Sequence, residues 1–543
     1  MAAIPFIVVS PRSKHPSVPA PAFVLEQDNW NDYLFRTQYH LSYYALVKSG
    51  EVEVTLIGAV KILRKGQTKA DGLLVSASFE VLDTSFCSVG QSLDYYERLR
   101  ELGDIGTHAM KALRDVVAQP ELVADFKDEE GWKTSLFRDQ KNVGEQFLSL
   151  ATGLVNGQYA VAPLDQQSFT FSPIGWISPI SVDTTSGEKW TFFGKNSLPE
   201  RVNVIVGRNG SGKSTLLARL ARVAYASPSE RLEAPVVDLG KLLPEGVGFP
   251  RVITVAFSPL DSFKLPGSDD RNRLQIAKDM QRGVGRFSFI GLRDFAAEVE
   301  QIGPSETLLA HERKAVDDRV TQTKLKSIEQ LAEEFARYMR GVVEKGRGEI
   351  LKAALDKLER GLFSYDWAAL SAGNQVETAQ QQFLQCSTGH KIALLVIFGL
   401  VANLQSRSLV LFDEPETHLH PPLLSAMMHA LRGVLEEYEA TAVVATHSPV
   451  VVQESMARHV HVIRREESLT AVLPVSTETF GESIGLLTAQ IFGLESEATD
   501  FHQVLDGLVL RYKSLEAIEG LFKDGVMSHQ ARAYVLSRLV SRS

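Results

Sequence analysis

The chain has 543 residues, of which 44% are hydrophobic and 23% charged, and it carries a formal charge of −9. Those values exclude a disordered chain and a surface that is basic throughout, and the length exceeds what one compact core holds, so two or three domains are expected. Cys87 and Cys386 lie far apart with no metal-ligand spacing, which points to a reducing compartment rather than a disulfide scaffold or a zinc site.

The opening, MAAIPFIVVSPRSKHP, has an apolar stretch broken by proline and no basic lead-in, so no signal peptide is expected. Residues 1–165 read as an α/β region without a catalytic constellation. Val52, Val54 and Leu56 alternate like a half-buried strand, with Lys61, Arg64, Lys65 and Lys69 around its end. That basic group reads as a solvated turn, with contact to nucleic acid as the alternative. A helix is predicted over Leu93–Val117, broken at Gly103 and Gly106. A domain boundary is placed near 120–165. Beyond it, SFTFSPIGWISPISVDTTSGEKWTFFG (168–194) alternates like an antiparallel hairpin.

The strongest signal is RVNVIVGRNGSGKSTLLARLARV, residues 201–223. Val202–Val206 is an apolar run suited to a buried parallel strand, and helical spacing resumes from Leu216. Between them lies G-x-x-x-x-G-K-[ST], the order a phosphate loop requires. Gly207, Gly210 and Gly212 let the backbone wrap a phosphate without a Cβ in the way. Arg208, Asn209, Ser211 and Thr215 complete the loop, whose amides open a helix N-terminus where the dipole favours anions. Lys213 places a positive charge between the β- and γ-phosphates of ATP, and the Ser214 hydroxyl can ligate Mg2+.

Further on, Leu325, Ile328, Ala332, Phe335, Met339 and Val342 are spaced by threes and fours, so an amphipathic helix is predicted over 316–344. Ile350, Leu351, Leu355 and Leu358 predict a return helix. The pair reads as a packed lobe, with a short DNA-gripping arm as the alternative. LQCSTGHK (384–391) is a polar turn before an apolar helix, Lys391–Leu404. Its longest apolar run, Ile392–Ala402, falls short of the roughly 18–20 residues needed to cross a bilayer, and the protein is expected to be cytoplasmic.

SLVLFDEPETHLHPP (408–422) ends a buried strand, Leu409–Phe412, in two acids. Asp413 sits at the strand's C-terminal edge, where such sheets place ligands, and is suited to the Mg2+ shell. Glu414 is suited to deprotonate or orient the attacking water. His418 and His420 read as loop contacts across a dimer, with a metal pair as the alternative. TAVVATHSPVVV (441–452) adds a third apolar strand that closes on His447, placed to contact the γ-phosphate or hold the water. Residues 466–543 lack the strand-end Glu and D-x-D of a two-metal nuclease. Glu482–Leu494 and Asp500–Ser543 instead read as short amphipathic helices suited to docking a partner.

Phosphate loop, polar turn, strand-DE and strand-TH, in that order, resemble the ABC-type ATPase fold over about residues 165–465. The resemblance implies an α/β head with a mixed sheet, an antiparallel edge and a helical insertion about 300–375. It also implies ATP with Mg2+, and two heads that sandwich nucleotide. In that arrangement Ser387 and Gly389 match the family's signature loop and act on the neighbour's γ-phosphate, while Thr388 and His390 depart from the transporter form. The family's strand at RVITVAFSPLDSF (251–263) usually leads into a metal-shell glutamine; this chain offers Ser258 and Asp261 instead. DEPETHLHP resembles the branch with the overcoming-lysogenization-defect nucleases, and TETFGESIGLLTAQIFGL (477–494) looks like the segment after the ATPase in Septu-type antiphage systems, including versions beside retrons. That likeness implies a separate HNH-type nuclease as partner, with DNA or a retron RNA–DNA and reverse transcriptase complex as others. The alternative is a DNA repair or recombination ATPase that binds DNA directly, which predicts strongly salt-sensitive binding.

Overall fold

The structure, a computed structural model, describes residues 4–541 apart from 12–17, 29–33, 47–49, 138–140, 157–167, 184–198, 228–229, 233, 268–269, 303–317, 321, 359–365, 468 and 493–499. The front of the chain forms one sheet from β1 (Phe6–Val9), β2 (Ala22–Gln27), β3 (Gln38–Leu46), β4 (Val52–Arg64), β5 (Ser78–Phe79) and β6 (Phe86–Gly90). The spatial order is β5-β1-β2-β3-β4-β6, with β1 and β2 parallel and the other pairs antiparallel. Helices Leu93–Glu101 and Asp104–Ala112 pack over it. The two glycines between and within them do different jobs. Gly103 turns the chain at φ +58°, whereas Gly106 lies inside the second helix because a Cβ there would come 1.8 Å from the Leu99 carbonyl oxygen.

Two expectations for this region meet the structure at β4. β4 is not simply a half-buried alternation around residues 52–56: Val52 is exposed, and the strand's buried residues run from Ile57 to Leu63. Lys61 lies inside that buried stretch, 1% exposed, and its Nζ donates to the Ser135 carbonyl at 2.8 Å. Lys69 pairs with Glu130 at 2.6 Å, and Lys65 lies over the Phe126 ring. Only Lys61 is spent inside; Arg64, Lys65 and Lys69 are exposed around the turn after β4, as the solvated-turn reading expects.

Next, β7 (Phe169–Pro173) and β8 (Ile180–Val182) form the expected hairpin, whose predicted extent beyond 183 lies outside the described residues. β9 (Val202–Gly207) opens the main sheet, and β10 (Gly240–Leu243) returns to pair with β7. β11 (Val252–Ala256), β12 (Phe287–Gly291), β13 (Leu409–Asp413), β14 (Thr441–Thr446), β15 (Val460–Glu466) and β16 (Leu469–Pro474) complete the main sheet in the order β12-β11-β13-β14-β9-β15-β16. All pairs are parallel except β15–β16, which form an antiparallel edge.

Helices cover both faces of this sheet, which is why its strands read as continuous apolar runs. Val202, Val204, Val206, Val410, Phe412, Ala442 and Val444 point to the face that carries helices Ile328–Glu344, Thr388–Asn403 and Pro421–Glu437. Ile205, Leu409, Leu411, Val443 and Ala445 point to the other face, against the phosphate-loop helix Lys213–Tyr225. The helical pair after residue 325 is a packed lobe: Phe335 stacks on Phe383 at 4.7 Å and meets Phe398 at 4.8 Å. Its first helix starts later than the apolar spacing predicts. Ser327 and Gln330 form a reciprocal cap, so Leu325 lies outside the helix and is exposed.

Buried ion pairs join the front region to the head. Arg98 Nε lies 2.9 Å from Asp279, Arg286 3.5 Å from Asp94 and Arg251 3.6 Å from Glu97. No described helix is long and apolar enough to cross a membrane.

Candidate functional site

Parallel pairing in register brings distant segments to one edge. Asp413 at the end of β13 pairs with Ala256 on one side and Ala445 on the other. Val206 pairs with Thr446, and Gly207 with Ile463. The phosphate loop, the acid pair and His447 therefore leave the sheet side by side, at the strands' C-terminal ends.

The loop's glycines are where the turn needs them. Gly210 and Gly212 adopt φ of +80° and +99°, and a Cβ on Gly207 would lie 2.6 Å from the Ile463 carbonyl oxygen. Gly212 caps the helix Lys213–Tyr225 without a side chain, so its first amides keep their anion-binding capacity. Arg208 and Asn209 are exposed, Ser211 is buried, and Ser214 and Thr215 are half-buried. Lys213 is buried, and its Nζ donates to the Gly207 carbonyl at 2.9 Å. Burial pulls its pKa down, opposed by Glu414, Asp413 and Glu416.

Ser214 Oγ donates to Asp413 Oδ1 at 3.2 Å, joining the loop to β13. Burial, with Glu414 and Asp261 adding to it, pushes the Asp413 carboxyl up to about 7. A carboxylate so desolvated beside a hydroxyl is a fitting donor pair for a divalent cation, whose charge would offset that cost. Asp261 lines the same small cavity as Asp413. Its Oδ2 is buried without a hydrogen-bond partner among the described residues, and burial raises its pKa despite Arg293 at 3.8 Å. Ser258 instead uses its Oγ to accept from the Leu260 amide.

Glu414 is partly exposed and sits at φ +47°, with its amide tied to the Ala445 carbonyl at 2.8 Å. His447 Nδ1 lies 3.8 Å from Glu414 and 2.9 Å from Glu416. Glu416 was not singled out by sequence reasoning, although the string PETH held it. Trp176 is the other residue missed: its ring lies 3.5 Å from where a Cβ on Gly212 would be.

The signature-like residues start the helix on the opposite face of the sheet from the phosphate-loop helix. Ser387 is its N-cap, its Oγ accepting from the His390 amide at 3.4 Å. Gly389 packs against the next loop, since a Cβ there would come 3.1 Å from the His418 carbonyl oxygen. Burial, and then His420, lower the His390 pKa. His420 Nδ1 caps the helix Pro421–Glu437 by accepting from the Leu423 amide, and no group of three His, Cys, Asp or Glu among the described residues is arranged to hold a metal.

The chain is 31% identical over 534 residues to protein ea59 of Escherichia phage lambda, an alignment that covers 94% of each chain. It belongs to the ea59 family. Residues 245–453 match the family model described as "AAA domain, putative AbiEii toxin, Type IV TA system". That segment holds Asp413, Glu414 and His447 and begins after the phosphate loop. The phosphate loop and this AAA-domain segment together build the edge described above. Among solved structures, a nucleotide-free ATP-binding cassette from an ABC transporter is 14% identical, covering 59% of this chain and 93% of that one at a TM-score of 0.27. A SmcHead bound to the C-winged helix domain of ScpA is 12% identical, covering 57% and 97% at 0.24.

Proposed function

We propose that the chain binds MgATP and hydrolyses it slowly, using nucleotide to pair with a second copy. The observation that carries this reading is the Ser214–Asp413 hydrogen bond at the edge where the phosphate loop and His447 also leave the sheet. Ser214 and Asp413 would hold Mg2+, with Asp261 behind them; the cation would offset phosphate charge. Lys213 turns from the loop carbonyls to the phosphates, and the amides from Asn209 to Thr215 cradle them. Trp176 offers a flat surface beside the loop for the base. Glu414 takes a proton from water, and His447 steadies the γ-phosphate or that water. Ser387 and Gly389 act on the nucleotide of the opposing copy.

On this reading the paired state controls a partner. The DEPETHLHP loop and a helical tail without a two-metal carboxylate set favour a separate HNH-type nuclease within an antiphage complex over a nuclease in the same chain. Direct DNA binding draws no support from Lys61, which is buried and engaged internally. Light scattering tests the pairing. Glu414→Gln, which keeps binding but slows hydrolysis by about 100-fold or more, should double in mass with MgATP. Adding Ser387→Arg should return it to the mass of one copy. A single-copy mass with ATP bound would end this reading.

A further inference from the structure

The Glu416 carboxylate is nearly enclosed, with 11% side-chain exposure, and its partners come from the end of β14 and the turn that follows it. Thr446 Oγ1 donates to Oε2 at 2.8 Å, and the His447 amide donates to Oε1 at 2.7 Å. His447 Nδ1 lies 2.9 Å from that same Oε1. Thr446 Oγ1 in turn accepts from the Ser448 amide at 2.9 Å, which closes the turn carrying His447. A carboxylate oxygen can only accept, so at this ion-pair distance it favours a ring proton on Nδ1 over a lone pair there, with Nε2 as the nitrogen open to a ligand. The ring is half-exposed, so Nε2 is reachable.

We propose that Glu416 is a positioning residue that fixes the tautomer and orientation of His447 and keeps its ring off Glu414. The inference rests on the ATPase reading above, in which His447 meets phosphate or water and Glu414 is the base. Glu414 lies on the same side of the ring, 3.8 Å from Nδ1. Without Glu416, Nδ1 has Glu414 as its next acceptor, and the base would be tied up by the histidine that should serve it. An outer carboxylate of this kind typically matters by one to two orders of magnitude where the histidine it holds does chemistry.

The test joins a spectroscopic readout to a mutant cycle. In the nucleotide-free full-length chain, the imidazole nitrogen signals of His447, assigned by their loss in His447→Gln, should report the Nδ1–H tautomer. They should move in Glu416→Ala. With MgATP, Glu416→Ala should lower kcat roughly 10- to 100-fold while ATP affinity stays near wild type. The double variant Glu416→Ala, His447→Ala should lose far less than the product of the two single losses, because Glu416 acts chiefly through the ring. A wild-type proton on Nε2, an unchanged kcat in Glu416→Ala, or losses that multiply in the double variant would each overturn the proposal while ATP hydrolysis stands. A wild-type chain that binds no ATP would remove the ATPase reading and the role of Glu416 with it.

Discussion

The front sheet and the head sheet place their buried polar groups differently. In the front region they are scattered through the packing, some answered, as Lys61 by the Ser135 carbonyl and Asp115 by the Tyr96 hydroxyl and the Val117 amide, and others not answered among the described residues, as the Tyr95 hydroxyl. In the head they cluster where parallel strands stop, and several are only half answered, such as Asp261 Oδ2 and the Ser211 hydroxyl. The difference teaches that burial of charge is no mark of a site by itself. What marks the head is that such groups gather along one edge of its sheet.

That contrast can be broken at its strongest point first. Arg98→Met strips Asp279 of its buried partner at the front–head junction and should cost about 3–5 kcal/mol of stability, read as a lower denaturant midpoint, with ATP affinity retained in the folded fraction. Lost affinity at unchanged stability would place function in the front region. The mirror experiment is Lys213→Ala, which should weaken ATP binding by about 100-fold or more, roughly 2.7 kcal/mol, since it removes the loop's phosphate cation. Calorimetric titration checks it, and the denaturant midpoint should hardly move. The smallest effect lies with Asp115, whose carboxyl burial raises from 3.8 to about 7. Between those values the folded chain keeps a proton that the unfolded chain has lost, so stability falls as pH rises through that window. Asp115→Asn should flatten the slope by at most about 1.4 kcal/mol per pH unit. An unaltered slope would mean that the contacts answer the carboxylate fully enough to cancel the effect of burial.

Sequence reasoning reached the head sheet well because its strands are covered on both faces. Leu409–Phe412 and Ala442–Ala445 had to be apolar throughout, and each ended in a polar residue that broke the run. The front sheet was less legible. Lys61 looks like a surface cation until the element packed on β4 is known, and the alternation of Val52, Val54 and Leu56 fell at the exposed end of a longer strand. The helix start failed for a local reason: apolar spacing ran past Ser327, although the capping pair Ser327 and Gln330 was there to be read. Glu416 was hidden more deeply. Its partners stand 30 and 31 positions away, and only the adjacency of β13 and β14 makes them neighbours.

The place of β9 has a consequence for the order in which the molecule is made. Its two neighbours, β14 and β15, are both synthesised long after it. The glycine-lysine turn thus emerges early but has no walls to rest on until some 240 further residues, up to Thr441, have followed. A nascent chain stalled anywhere in that interval would have the loop's letters and none of its grip. On the reading proposed above, triphosphate affinity is therefore acquired late.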